Sequence, residues 1–171
     1  MMGTINEPAV ESVNELGKRL AGKYLTFKLA EEEYGLEILK VQEIIRMQTV
    51  TRVPRTPEYV RGVINLRGKV IPVIDLRCKF GMSTQDDTDK TCIIVVQVHS
   101  AEHRVVMGVI IDEVREVLDI DAGSIEDTPS FGASVNTDFI TGIGKVGETV
   151  KMLLDIDKVL TVSEVAQIAT L

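Results

Sequence analysis

Two stretches of equal length decide the fold of this chain, EYVRGVINLRGKVIPVIDLRCKF at 58–80 and DFITGIGKVGETVKMLLDIDKVL at 138–160. At a constant offset of 80 their glycines and aliphatic residues coincide, with Gly62 opposite Gly142. Each stretch holds two short β-branched runs around a glycine-containing turn, which is typical of a β-hairpin. A hairpin that recurs along one chain indicates a duplicated β-unit.

The repeat continues upstream of both hairpins. An offset of 73 aligns Gly35 with Gly108 and Glu43 with Glu116, and seven extra residues in the loop 121–138 account for the change of offset. The sequence therefore predicts two similar β-barrels in tandem, each too small for a generous core of its own, so that they pack on one another.

Short apolar runs separated by turn signals predict mainly β structure. The predicted barrels span about 24–82 and 91–162, and strand exchange between them is left open. Short helices are predicted at 40–46 and 77–81, and a longer one at 157–169. The predicted strands are 24–29, 34–39, 47–53, 62–66, 69–76, 91–98, 104–111, 114–120, 139–146 and 149–156.

The two ends of the chain lie outside this domain, which is predicted over 24–162. Residues 1–23 are polar and acidic and predict a tail or a frayed helix. Residues 163–171 are expected to be the end of the C-terminal helix.

Composition excludes several functional classes. The chain has 171 residues, 44% of them hydrophobic, and a net charge of −7, which opposes binding to a phosphate backbone. Two cysteines, and no signal-peptide or membrane-span pattern, predict a cytoplasmic protein. No nucleic acid, cofactor or metal is expected as a partner.

One motif resembles a catalytic site. His99, Glu102 and His103 match the H-x-x-E-H pattern of zinc peptidases, which requires both histidines on one helical face. The segment lies between two β runs, so we expect a hairpin turn. The sequence therefore predicts a protein that is not an enzyme. A zinc hydrolase built on His99, Glu102 and His103 is the unlikely alternative.

Two motifs favour a binding module, EYGLEILKVQEI at 33–44 and RGVINLRGKVIPVIDLR at 61–77. A third run, Val106 to Leu118, and the segment TGIG at 141–144 follow in order. Over about 24–162 the chain resembles the CheW-like domain family of bacterial chemotaxis coupling proteins.

This resemblance implies two SH3-like, five-stranded barrels about a shared hydrophobic core. It also implies a non-catalytic scaffold that links methyl-accepting chemoreceptors to the histidine kinase CheA, recruited to membrane receptor arrays. The alternative within the family is a CheW-like domain from a CheV- or CheA-type protein. We expect a monomer in isolation that joins ring-like arrays with its partners.

The resemblance places a receptor-binding groove between the barrels. A receptor helix would contact apolar residues and be oriented by polar ones, and Glu43 is expected to pair with Arg67. The predicted receptor-binding residues are Ile38, Val41, Glu43, Ile44, Ile64, Asn65 and Arg67.

The resemblance also implies a contact with the CheA regulatory domain through the loop 125–135. Phe131 is the one large aromatic residue of that polar loop and is the predicted anchor. The predicted kinase-binding residues are Phe131, Ser130 and Val135.

Overall fold

A computed structural model describes residues 15–83, 86–129 and 137–171 of the chain. Residues 15–20 are helical and are called α1. The other helices are α2 (Leu76–Lys79) and α3 (Val162–Ala169), with 3-10 turns at Ile38–Lys40, Ala122–Ser124 and Ile156–Lys158. The strands are β1 (Gly22–Leu29), β2 (Glu32–Glu37), β3 (Val41–Arg46), β4 (Val60–Leu66), β5 (Lys69–Asp75), β6 (Cys92–Ser100), β7 (His103–Ile111), β8 (Glu113–Ile120), β9 (Ile125–Glu126), β10 (Ile140–Val146) and β11 (Thr149–Leu154).

The strands form two curled sheets. The order is β3-β6-β7-β5-β4 in one, the five-stranded barrel, and β8-β1-β2-β11-β10-β9 in the other, the six-stranded barrel. The mainly β fold class is therefore confirmed, with a short extra strand, β9, in the second barrel. The hairpin β1–β2 lies in the barrel built from the later strands, and β6–β7 lies in the barrel built from the earlier ones. Each barrel thus draws strands from both sequence halves, 24–82 and 91–162.

The sequence repeat has a direct counterpart in strand pairing. In β4–β5 the register shifts by one residue at Gly62, and in β10–β11 it shifts in the same way at Gly142. Each barrel also contains one parallel pair, Val73 opposite Gly108 and Leu153 opposite Gly35. The same offsets, 80 and 73, relate these two parallel pairs, so the duplication includes the strand exchange.

Glycine at one of these parallel pairs is required by close packing. A Cβ atom on Gly108 would lie 2.6 Å from Cγ2 of Ile93 and 3.3 Å from Cγ2 of Val73. These distances are shorter than ordinary van der Waals contact. Glycine at this position therefore lets β7 pack between its two neighbours.

Each barrel closes through the segment that follows its outer strand. Thr51, downstream of β3, bridges to Val63 in β4, and Glu126 in β9, downstream of β8, pairs with Ile143 in β10. The positions Val63 and Ile143 are again related by the offset of 80.

The hydrophobic core has three parts. A central core between the barrels includes Phe27, Leu76, Val109 and Val165. The five-stranded barrel has an aliphatic interior, and the six-stranded barrel is filled by Tyr24 and other apolar residues. Burial of apolar side chains in this central core is what holds two small barrels together.

Two predicted elements are wrong. Residues 41–46 form strand β3, not a helix, and 47–53 are irregular apart from the bridge at Thr51. The cause is a β-bulge in β3, which breaks the alternation of apolar residues expected of a strand. The C-terminal helix is shorter than 157–169, because Thr161 caps it with a reciprocal bond to Glu164.

Within residues 15–83, 86–129 and 137–171, no helix combines the length and the apolar composition that a bilayer crossing requires.

Candidate partner-binding surface

The turn between β4 and β5 carries the polar residues of the predicted site. Arg67 and Gly68 both adopt positive φ, 52° and 86°, as a two-residue hairpin turn with the twist of its strands requires. Asn65 accepts a hydrogen bond from the Gly68 N–H through Oδ1 at 2.7 Å. Asn65 therefore fixes the turn that presents Arg67.

Arg67 forms an ion pair with Glu43 on β3. Nη1 lies 3.2 Å from Oε2, and Nη2 lies 2.5 Å from Oε1, which is a two-pronged arrangement. The hydrogen bond to Glu43 raises the pKa of Arg67. The structure thus shows the predicted pairing, and it joins the two outer strands of the five-stranded sheet where that sheet closes.

A bulge at Gln42 determines which side chains of β3 share a face. Val41 lies opposite Val96 and Glu43 lies opposite Val95, so Gln42 has no residue opposite it. Val96 belongs to the central core, whereas Val95 points into the five-stranded barrel. Paired residues of an antiparallel sheet share a face, so Val41 faces the junction of the two barrels.

Ile44 lies on the same face as Val41, because it pairs with Ile94 of the central core. Val41 and Ile38 are partly buried against that core, while Ile44 is 44% exposed and Leu39 is 93% exposed. An apolar strip therefore runs from the 3-10 turn along one face of β3, and Glu43, which lies opposite Val95, projects from the other face of the strand. We call Ile38, Leu39, Val41 and Ile44, with Glu43 and Arg67, the β3 surface.

Ile64 does not belong to the β3 surface. It points into the five-stranded barrel and is only 3% exposed, because the register shift at Gly62 turns it inward. The expectation that it contacts a receptor helix is corrected accordingly. Its contribution is to the core beneath Asn65 and Arg67.

Sequence inspection missed Leu39 and Val70 as surface residues. Leu39 is held outward by the 3-10 turn, and Val70 is exposed on β5. The repeat offered a signal for Val70, since Val150 occupies the matching position and is exposed as well.

The family model for the CheW-like domain matches residues 23–164. This chain belongs to the CheW family. The chemotaxis protein CheW of Klebsiella aerogenes is 39% identical over 150 residues, which cover 88% of each chain. Chemotaxis protein CheV3 of Helicobacter pylori is 31% identical over 130 residues, covering 74% of this chain and 40% of the relative.

A solved structure gives the same result. The crystal structure of the scaffolding protein TtCheW from Thermoanaerobacter tengcongensis matches with a TM-score of 0.72 at 37% identity. The match covers 82% of this chain and 92% of that one. The CheW assignment therefore rests on sequence and on fold together.

The zinc-peptidase motif lies in the β6–β7 hairpin of the CheW fold. His99 pairs with Arg104, and Ser100 pairs with His103. Successive residues of a strand alternate faces, so His99 and His103 project from opposite faces and do not converge on one ion. No cluster of three or more potential metal ligands occurs within the part of the chain that the structure describes.

The two cysteines of this CheW-family chain are not primed as nucleophiles. Burial is the largest influence on both thiols and raises the pKa of Cys78 and of Cys92. A raised pKa lowers the thiolate fraction, which is the reactive species.

The predicted CheA-binding residues Phe131, Ser130 and Val135 lie outside the described residues. Their loop connects β9 to β10 in the six-stranded barrel. The assignment of these residues remains a prediction.

Proposed function

We propose that this chain is a non-catalytic scaffold that couples methyl-accepting chemoreceptors to the histidine kinase CheA. Membership of the CheW family supports the coupling role. The observation that carries the receptor contact is the β3 surface, an apolar strip at the junction of the barrels with a fixed ion pair from the same strand next to it in sequence.

The chemistry of the β3 surface suits the helical hairpin at the cytoplasmic tip of a receptor. Ile44 and Leu39 offer apolar contact area, and their exposure costs free energy that a partner's apolar face would recover. Arg67 is mostly exposed, so a helix carrying a carboxylate can bond it without first breaking the barrel. Apolar contacts from the strip set the position of a helix, and the exposed Arg67 supplies a charge that sets its direction.

The CheA contact belongs to the other barrel in this proposal. Phe131, Ser130 and Val135 fall in sequence between β9 and β10, two strands of the six-stranded barrel, whereas the β3 surface belongs to the five-stranded one. Two partners can therefore bind one copy at the same time. Repeated contacts of this kind place the protein in cytoplasmic ring-like arrays beneath the membrane receptors, although the free chain is a monomer.

A pull-down with a receptor cytoplasmic fragment tests the receptor contact. Val41→Asp and Arg67→Glu should each abolish capture, and Lys145→Met on the six-stranded barrel should leave capture at the wild-type level. Retention of wild-type capture by both Val41→Asp and Arg67→Glu would remove this site.

Binding to the isolated CheA regulatory domain tests the second contact. Phe131→Ala should lose binding while its circular dichroism and melting temperature stay unchanged. A much earlier melt would show that Phe131 belongs to the core, and unchanged binding by a folded variant would show that the loop is not the kinase contact.

A further inference from the structure

Two carboxylates, Asp112 and Asp157, each form bonds that join the two barrels. Oδ2 of Asp112 accepts a hydrogen bond from the Ala30 N–H at 2.6 Å. Oδ1 of Asp112 forms an ion pair with Nη1 of Arg77 at 2.9 Å. Asp157 accepts from the His99 N–H through Oδ1 at 2.8 Å and from Lys40 Nζ through Oδ2 at 2.8 Å. Each carboxylate thus bonds the turn end of an exchanged hairpin with one oxygen and a cation with the other.

The two ties are related by the duplication, but their charges are exchanged. Arg77 and Asp157 occupy matching positions at the offset of 80, after β5 and after β11. Their partners Asp112 and Lys40 stand immediately before β8 and β3, although at the offset of 73 Lys40 aligns with Glu113. One tie therefore has its cation after the hairpin and the other has its carboxylate there, so the two ties have opposite polarity.

The ties also differ in strength. The Arg77 side chain is 3% exposed and bonds Asp75 and Asp87 in addition to Asp112. Lys40 and Asp157 are 30% and 25% exposed, and Asp157 is the one carboxylate that Lys40 bonds within the described ranges. Solvent screens the second pair more, so it is the weaker tie.

The weaker tie holds one end of the β3 surface. Lys40 is the last residue of the 3-10 turn Ile38–Lys40, which has no buried residue and no side-chain bond at its N-cap. The turn's own bond is from the Val41 N–H to the Ile38 carbonyl oxygen. The ion pair to Asp157 therefore adds to the packing of Ile38 on the central core in holding the turn, and with it Leu39, in place.

We infer that Asp157, acting through Lys40, is a positioning residue for the receptor-facing β3 surface. The expected effect on receptor binding rests on the proposed function, whereas the geometry of the Lys40–Asp157 pair does not depend on it. Loss of the pair leaves the Ile38–Lys40 turn more mobile. A receptor helix must then order that turn when it binds, and this cost lowers its affinity.

The test combines amide hydrogen exchange with the affinity of a receptor hairpin fragment, both measured by NMR on the full chain. Lys40→Met removes the cation, and Asp157→Asn removes the charge but keeps an acceptor for the His99 N–H. Both should speed exchange at Val41 and weaken the affinity by up to about fivefold, the range that a partly exposed ion pair supports. Lys40→Arg keeps the cation, so its exchange rate at Val41 and its receptor affinity should stay close to the wild-type values.

Lys145→Met is the matched control, because it removes an ion pair of the same 2.8 Å length on the six-stranded barrel. It should change neither measurement, and exchange at Val95 in the centre of β6 should stay the same in every variant. Unchanged exchange at Val41 in Lys40→Met would overturn the inference, as would faster exchange with unchanged affinity. If the wild-type chain binds no receptor fragment, the proposed function fails, and the exchange rates still decide whether the pair positions the turn.

Discussion

In the five-stranded barrel Ile64 and Ile71 fill the interior, whereas the matching positions of the six-stranded barrel hold Gly144 and Lys151. Lys151 is buried and bonds Glu33 at 2.7 Å, and the position that matches Glu33 in the other barrel is Val106. The duplicated strands have thus kept their pairing while one interior stayed aliphatic and the other gained an ion pair. Backbone register, set by glycines and bulges, is more restrictive here than the choice of interior side chains.

The outer faces diverge in a second way. Ile44 and Val117 occupy matching positions, and both are exposed, at 44% and 51%. Arg67, however, is replaced by Gly147 at the corresponding turn, so the β3 surface has an arginine that its counterpart on β8 lacks. A difference in charge at similar apolar strips is how duplicated units come to bind different partners.

The largest expected effect concerns the two ties between the barrels. Arg77→Ala should lower the free energy of unfolding by about 3 kcal/mol, because it removes the closer ion pair of the buried Asp75, at 3.0 Å, and leaves it the partly exposed Arg61 at 3.3 Å. Asp157→Ala should cost only about 1 kcal/mol, since its ion pair is partly exposed. Urea unfolding of both variants measures the difference, and equal losses would show that the ties are not of unequal strength.

The next effect concerns barrel closure. Gly62 has φ of +146°, and a Cβ atom there would lie 2.0 Å from the Thr51 carbonyl oxygen. Gly62→Ala should therefore cost about 3 kcal/mol through strain and displaced backbone. At the matching Gly142 the nearest atom is the flexible Cδ1 of Leu20 at 3.0 Å, so Gly142→Ala should cost less. Thermal melts that rank Gly142→Ala as the more damaging would contradict this account of closure.

A smaller effect concerns the interior ion pair of the six-stranded barrel. The hydrogen bond from Lys151 holds the pKa of Glu33 below its usual value of 4.5. The stabilisation is therefore present above about pH 4.5 and is lost as the pH falls through the lowered pKa. Lys151→Met should cost about 1 kcal/mol at neutral pH. The difference from wild type should shrink in melts at about pH 3, and a constant difference would show that Glu33 is not the group responsible.

The smallest expected effect on stability is at the β3 surface itself. Arg67→Ala removes an ion pair whose arginine is mostly exposed, so the free energy of unfolding should change by less than about 1 kcal/mol. Chemical denaturation of this variant provides the check. A loss comparable to that of Gly62→Ala would mean that the pair closes the barrel and is not mainly a partner contact.

The sequence predicted the repeat and the two barrels, which follow from glycines and apolar residues at fixed offsets. The Glu43–Arg67 pair was expected from the family resemblance, and the structure shows it. The sequence left the strand exchange open, because Gly35 and Gly108 align with each other without indicating which strand lies beside them. Their roles follow from the parallel pairs to Leu153 and Val73, which are contacts distant in sequence.

Two errors have a local physical cause. The bulge at Gln42 puts Val41 and Ile44 on one face at a spacing of three residues, which resembles a helical pattern and led to the wrong helix at 40–46. Ile64 lies within a motif of surface residues, yet the register shift between Val60 and Gly62 turns it into the barrel. Neither irregularity has a signal in a single sequence.

The matched pair Ile44 and Val117 offers the most direct test of the central claim, that the β3 surface binds the receptor hairpin. The dissociation constant of a receptor cytoplasmic fragment should be measured by calorimetry for Ile44→Asp and Val117→Asp, two equally drastic changes at equivalent exposed positions. The account predicts that Ile44→Asp weakens binding by at least about tenfold, because an apolar contact is lost and a charge is buried. Val117→Asp should bind like the wild type. Equal affinities for the two variants, or a loss confined to Val117→Asp, would contradict it.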